Sequence, residues 1–296
     1  MPISTSEPRR LFCFGLGYTA RVFARHCRAA GWTIAGTCRS PAEAAALAAD
    51  GVAAFLFERG RPLADPAAAL AGTTHLLSSV PPDESGDPVL ACHAEAIAAL
   101  GGLEWAGYLS TTGVYGDRQG GIVDEDSPLR PTSARARRRV EAERGWLELG
   151  RSHGTPIHVF RLAGIYGPGR SALDQVRAGT AKRIAKPGHA FSRIHVEDIA
   201  AVLRASAARR RPGAVYNLCD DDPAPSETVV AHACALLGVA PPPLVPLAEA
   251  GLSPMALSFY RDNKRVSNAR IKDELGVRLR YPDYRSGLAA ILAAGG

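Results

Sequence analysis

Short apolar runs alternate with segments of helical periodicity along most of the 296 residues. Apolar stretches bounded by Gly, Pro or polar clusters predict buried strands at 10–14, 32–37, 52–57, 74–79, 105–110, 155–161 and 214–219. Amphipathic or Ala-rich stretches between them predict helices at 18–30, 41–49, 86–101, 132–150, 171–178, 197–208 and 226–237. The segment 132–150 opens on Pro131-Thr132-Ser133, a capped start, and stops at Gly150. Such regular alternation predicts an α/β fold with a doubly wound parallel sheet. The last quarter breaks the rhythm, punctuated by Pro223-Ala224-Pro225 and Pro241-Pro242-Pro243. It reads as a smaller, loop-rich C-terminal substrate cap. The predicted domains are 1–161 with 194–219 for the sheet, and 162–193 with 220–296 for the cap.

Composition narrows the class. With 46% hydrophobic residues the chain can bury a substantial core. No apolar run has the length of a membrane span. The charged opening, residues 1–10, has the look of an export leader, but the apolar run behind it carries two glycines and serves better as the first strand. Cys13, Cys27, Cys38, Cys92, Cys219 and Cys234 show no Cys-x-x-Cys and no Cys/His spacing, which argues for the cytoplasm and against a metal site. Cys13 and Cys38 fall in predicted strands, as small buried hydrophobes do. Net charge is +6, and only four of the 35 basic residues are lysine. That excess suits an anionic ligand and is too dispersed to indicate nucleic acid.

The run Leu11–Ala20 is the most informative stretch. Strand, glycine turn and helix follow one another with the spacing Gly15-x-Gly17-x-x-Ala20. Gly15 makes the tight turn, Gly17 admits a pyrophosphate close to the backbone, and Ala20 lets helix and strand pack. Main-chain amides of Leu16, Tyr18 and Thr19 then face the anion, with the helix dipole behind them. This predicts a Rossmann-type dinucleotide site. At the end of the second strand an acid would hold a ribose 2′-hydroxyl; here stand Arg39 and Ser40, with no acid before Glu43. A guanidinium fork suits a 2′-phosphate, so NADP is expected ahead of NAD.

Further motifs come in a familiar order: Ser110-Thr111-Thr112-Gly113-Val114-Tyr115-Gly116, then Pro128–Ser133, Arg161–Gly169, Ser192–Ala200 and Val215–Asp220. Together they resemble the extended short-chain dehydrogenase/reductases, the NAD(P)-dependent epimerase/dehydratase-like branch. The resemblance implies that Ser79 and Val80 after the fourth strand, and Leu162, Ala163 and Ile165 after the sixth, line the cofactor. It implies that Thr111, with Ser110 adjacent, bonds the reacting oxygen. It also implies a homodimer through the helices at 86–101 and 132–150, an expectation weakened by the run Arg135, Arg137, Arg138 and Arg139 on the second helix.

The family's catalytic Tyr-x-x-x-Lys falls on Arg135 and Arg139, and no lysine precedes Lys182. The spacing Tyr260–Lys264 lies in the cap and reads as coincidence. Arginine stays charged and cannot exchange a proton near neutrality. Arg139 can still bind ribose hydroxyls, and Arg135, one turn away, can clamp a carboxylate or phosphate. Proton transfer then falls to Tyr115, Tyr166 or His195, each of which has an ordinary packing role as its alternative. Thr112 and Gly113 stand where dehydratases of the branch carry an acidic pair, so dehydration is disfavoured. Arg137 and Arg138 point away from the 135/139 face. Arg209–Arg211 read as a solvated helix end.

The expected function is therefore an atypical NAD(P)-dependent oxidoreductase or epimerase-like enzyme. Its substrate is a small, oxygenated, anionic or sugar-like molecule met by Arg135, Arg139, Tyr166, Arg170, Arg193 and His195. The alternative is a non-enzymatic dinucleotide-binding redox sensor or scaffold.

Overall fold

The computed structural model describes residues 9–295. Residues 1–8, which include most of the stretch weighed above as a leader, and residue 296 lie outside the described residues.

In chain order the sheet begins with β1 (Arg10–Phe14), α1 (Tyr18–Ala29), β2 (Thr33–Cys38), α2 (Pro41–Ala49) and β3 (Ala53–Leu56). It continues through α3 (Pro66–Leu70), β4 (His75–Ser78), α4 (Pro88–Ala98) and β5 (Trp105–Thr111). A 3-10 turn at Thr112–Tyr115 leads to β6 (Ile122–Val123), the long α5 (Ala134–His153), β7 (Ile157–Leu162) and β8 (Gly164–Tyr166). Then come α6 (Ala172–Arg177), β9 (Arg183–Ala185), β10 (Arg193–His195), α7 (Val196–Ala208), β11 (Val215–Leu218) and α8 (Ser226–Leu237). The chain ends with β12 (Leu244–Pro246), α9 (Pro254–Phe259), β13 (Arg265–Val266), α10 (Ala269–Asp273) and α11 (Tyr284–Ala293).

The seven long strands form the doubly wound parallel sheet expected from the alternation, in the order β11-β7-β5-β4-β1-β2-β3. Its order reverses between β1 and β4, which pair in parallel from Leu11 opposite His75 to Phe14 opposite Ser78. Ligands of such sheets bind beyond the strand ends at that reversal. The strands are apolar on both faces because helices cover both. α1 buries Thr19, Ala20, Val22, Phe23, Ala24 and Cys27 on one stripe. Asp87 caps α4, its Oδ1 accepting from the amides of Val89 (2.8 Å) and Leu90 (3.1 Å), while Trp146 Nε1 donates to its Oδ2.

Contacts divide the chain into two compact units. The first holds residues up to 110, 141–160 and 203–215; the second holds 111–140, 161–202 and 216 onward. This places 111–140 in the second unit, where the domain scheme from sequence kept them with the sheet. The first unit's core gathers Phe12, Phe14, Leu76, Tyr108, Trp146 and Val159. The second has several smaller cores, one around Tyr166, Leu173, Tyr284 and Leu288, another around Val114, Tyr115, Val123 and Val266. Its strands are short parallel pairs, β8 with β10, β9 with β12 and β6 with β13. The C-terminal quarter thus holds more regular structure than its prolines suggested: α9, α10 and α11 were all unforeseen.

Candidate functional site

In the first unit the loop after β1 is built for close backbone approach. Gly15 has φ +80°, and a Cβ there would stand 3.0 Å from Ser79 Oγ and 3.2 Å from Val80 Cγ2. Ser79 Oγ donates to the Gly15 carbonyl at 2.5 Å, and Thr37 Oγ1 accepts from the Gly15 amide at 2.8 Å. The loop after β1 is thereby fastened to β2 and to the residue following β4, at the sheet's reversal. Leu16 is buried, and its amide donates to Thr37 O at 2.8 Å. Gly17, the N-cap of α1, differs: its φ is an ordinary −81°, no side chain caps the helix, and its first turn carries no acid. A Cβ at Gly17 would meet nothing within 4 Å. The protein alone therefore needs no glycine there, whereas an anion seated on the amides of Tyr18 and Thr19 does. The residues fit a dinucleotide's pyrophosphate.

The end of β2 is more crowded than the sequence suggested. Ser40 Oγ caps α2 by accepting from Glu43 N at 3.2 Å. Glu43 folds back, its Oε1 accepting from Arg21 Nη2 at 2.9 Å and its Oε2 from Arg39 N at 3.4 Å. Arg61 Nη2 donates to Arg39 O at 2.6 Å. An acid does stand beside Arg39, then, but with Arg21 paired to it. Although Glu43 stands four residues on from Arg39 in the sequence, the first turn of α2 brings it back beside it. Ser110 also belongs to this unit, buried, its hydroxyl donating to Glu143 Oε1 at 2.5 Å.

In the second unit, Thr111 is half-buried, and its Oγ1 accepts from Gly113 N at 3.1 Å, which leaves its hydroxyl proton to donate. Tyr115 is fully buried. Its hydroxyl donates to Asn217 Oδ1 at 2.7 Å and accepts from Arg161 Nη1 at 2.9 Å. Arg161 also donates to Glu125 O at 3.2 Å, and Glu125 Oε1 accepts from Asn217 N at 2.7 Å. Burial pushes the Tyr115 phenol up to about 12, against the opposing Arg161 charge. The expectation that Tyr115 exchanges protons gives way to a buried structural tie. Arg135 is exposed and Arg139 half-buried, one turn apart on α5. Partial desolvation of the guanidinium, and after it the neighbouring Arg139, push Arg135 below its ordinary range.

Leu162 and Ala163 are buried at the end of β7, with Ala163 N donating to Leu218 O at 3.0 Å; Ile165 is half-buried in β8. Tyr166 donates to Asp283 O at 3.2 Å, and its ring fills the space where a Cβ on Gly287 would lie. Burial, reinforced by Asp220, raises its phenol, so it too packs rather than titrates. Arg170 is exposed in the turn where its amide donates to Gly167 O at 3.0 Å. Arg193 gives its Nη1 to Phe191 O (2.9 Å) and Ala224 O (2.7 Å), so its fork is already engaged by the main chain. His195 is 2% exposed, with Nδ1 accepting from Glu197 N at 3.2 Å and the Tyr281 ring centroid 4.1 Å away. Burial lowers it to about 4, which keeps the ring neutral and gives it no proton to lend near pH 7. Asp220 was missed. It is 2% exposed, and burial pushes its carboxyl up to about 8, with Arg193 opposing. Its place at the end of the Val215–Asp220 motif was the available signal. Among the described residues no group of three or more His, Cys, Asp or Glu is placed to hold a metal ion.

Sheet order, glycine loop and uncapped helix define an α/β fold of the Rossmann type. Residues 94–219 match the model of the NAD dependent epimerase/dehydratase family. It is similar over 97% of its length to 99% of a conserved protein of unknown function from Silicibacter pomeroyi DSS, at 53% identity and a TM-score of 0.89. It is 27% identical over 286 residues to Protein YeeZ of Escherichia coli (strain K12), covering 93% of this chain and 97% of YeeZ. Its fold matches a dTDP-glucose 4,6-dehydratase from Bacillus anthracis str. Ames, solved with NAD, with a TM-score of 0.76, 16% identity and coverage of 97% and 96%. No helix among the described residues is long and apolar enough to cross a membrane.

Proposed function

We propose that the chain is an NADP-dependent oxidoreductase acting on a small anionic carbonyl or hydroxyl compound. The observation that carries this reading is the contrast at the β1–α1 loop, where Gly15 is demanded by the backbone and Gly17 only by a ligand. A bound reduced nicotinamide supplies a hydride, two electrons and one hydrogen nucleus, and is left oxidised. Gly15 to Thr19 hold the diphosphate, and Ser79 and Val80 keep that loop in shape. Arg39, with Arg61 on its carbonyl, receives the 2′-phosphate. Arg135 and Arg139 hold the substrate's anion. Thr111, whose hydroxyl proton is free to donate, would bond the substrate's carbonyl oxygen and give it that proton as the oxygen gains charge, and water would return a proton to Thr111. That route is left to Thr111 because Tyr115 and Tyr166 are tied and His195 is neutral.

The test is single-turnover oxidation of bound NADPH across a panel of keto acids, aldehydes and keto-sugars. Arg39→Ala is expected to weaken NADPH about tenfold or more and NADH little, the loss of one charge-assisted pair. Equal weakening of both would remove the argument for the phosphate. The same tied hydroxyls favour a second reading, a dinucleotide-binding sensor without chemistry. Tight NADPH binding with no turnover on any member of the panel would select it.

A further inference from the structure

The reading above gives the substrate an anionic group but no body. A short helix in the second unit suggests one. α9 leaves Met255 66% exposed and Phe259 54% exposed. The two stand one turn apart, so they form a single apolar stripe. The helix is firmly held. Ser253 Oγ caps it, accepting from Ala256 N at 3.2 Å. The next residue, Tyr260, is buried with Ile184 and Ala250, and its carbonyl accepts from Lys186 Nζ. Asp262 then accepts from Thr132 Oγ1 through both carboxylate oxygens, at 2.8 and 3.0 Å. Thr132 leads into α5, so the stripe is fixed against that helix's first turn. There the Arg135 guanidinium lies 5.9 Å from the Phe259 ring centroid. Arg135 has no acidic partner among the described residues, and its charged neighbour is Arg139. Single exposed apolar residues are ordinary. An aromatic face held against an uncompensated guanidinium, with a second guanidinium one turn on, is not.

We propose that this surface selects the substrate, resting on the role given above to Arg135, and that the substrate is an amphipathic oxyanion. Its carboxylate or phosphate is taken by Arg135 with Arg139, and an aryl or other flat apolar body lies along Phe259 and Met255. Guanidinium forks match either oxyanion in a bidentate manner. The apolar body removes from water a stripe that the chain leaves bare. A plain sugar acid offers the charge without the body.

Calorimetric titration of the full chain, with and without NADPH, tests this using 3-phenylpropionate, phenyl phosphate, propionate and glucuronate. The two aryl anions should bind at least about tenfold more tightly than propionate or glucuronate. Preference between them tells carboxylate from phosphate. Arg135→Gln should weaken both aryl anions about tenfold or more. Phe259→Ala should abolish the aryl advantage and leave propionate unchanged. Equal binding of aryl and non-aryl anions, or an aryl advantage that survives Phe259→Ala, overturns the proposal. So does a Phe259→Ala effect confined to oligomeric state in light scattering, which would assign the stripe to a second copy. An intact NADPH isotherm with no aryl effect sinks this inference alone. An aryl effect without NADPH binding sinks the dinucleotide reading alone.

Discussion

At the scale of single residues, two glycines two positions apart do different work. Gly15 sits in left-handed backbone with Ser79 Oγ against it, so Gly15→Ala should cost about 1–2 kcal/mol of stability as well as dinucleotide affinity. Gly17→Ala meets open space at an ordinary φ, so the melting transition should stay within about 0.5 kcal/mol of the parent while NADPH binding falls sharply. Paired thermal melts and NADPH titrations of the two variants check this. A Gly17→Ala protein that binds NADPH normally removes the reason for a ligand there. The loop was legible in the sequence because its chemistry is local, carried by spacing alone. The tyrosines were not. Tyr115 finds its hydroxyl partner at Asn217, 102 residues on, and Tyr166 finds its own at Asp283, 117 residues on. No local pattern distinguishes a tied phenol from a free one.

At the scale of elements, Tyr115, Arg161, Asn217 and Glu125 bind the 3-10 turn to β7, β11 and the segment after β6 within the second unit. Tyr115→Phe leaves Arg161 short of an acceptor in a buried place. Urea unfolding should show a loss of about 1–3 kcal/mol. Any turnover should keep the parent's pH profile, since the hydroxyl does not titrate in the working range. A profile that lost one limb would return Tyr115 to proton exchange. The seven long strands were readable because helices cover both sheet faces and force unbroken apolar runs. The pairs β6–β13, β8–β10 and β9–β12 were not, since two or three residues hold no periodicity. α11 was overlooked although Tyr284, Leu288 and Ile291 keep one buried stripe, because Gly287 lies within it. That glycine is needed only because the Tyr166 ring lies over it, a contact sequence does not reveal.

At the scale of the whole molecule, the two units answer pH differently. His75 and His158 are buried in the first unit, and burial lowers both to about 4. His158 can accept from Arg211 N at 3.1 Å only while its Nε2 is unprotonated. Unfolded histidine titrates near ~6.5, so this stability is complete above that pH and is lost as pH falls toward about 4. Each ring is worth about 1–3 kcal/mol at the acid end. In the second unit His195 behaves alike, but Asp220 has the opposite sign. A carboxyl raised to about 8 keeps its stabilising balance below its unfolded value of ~3.9 and loses it as pH rises toward 8. Hydrogen exchange corrected for intrinsic rates should therefore show β4 losing more protection than β10 between pH 7 and pH 5. In urea unfolding, Asp220→Asn should lose less stability between pH 6 and pH 9 than the parent. Parallel losses in the two proteins would mean that Asp220 is already ionised at neutrality. Arg193, now engaged with carbonyls, would then be holding a buried carboxylate as its counter-ion, and the acid side alone would set the stability optimum.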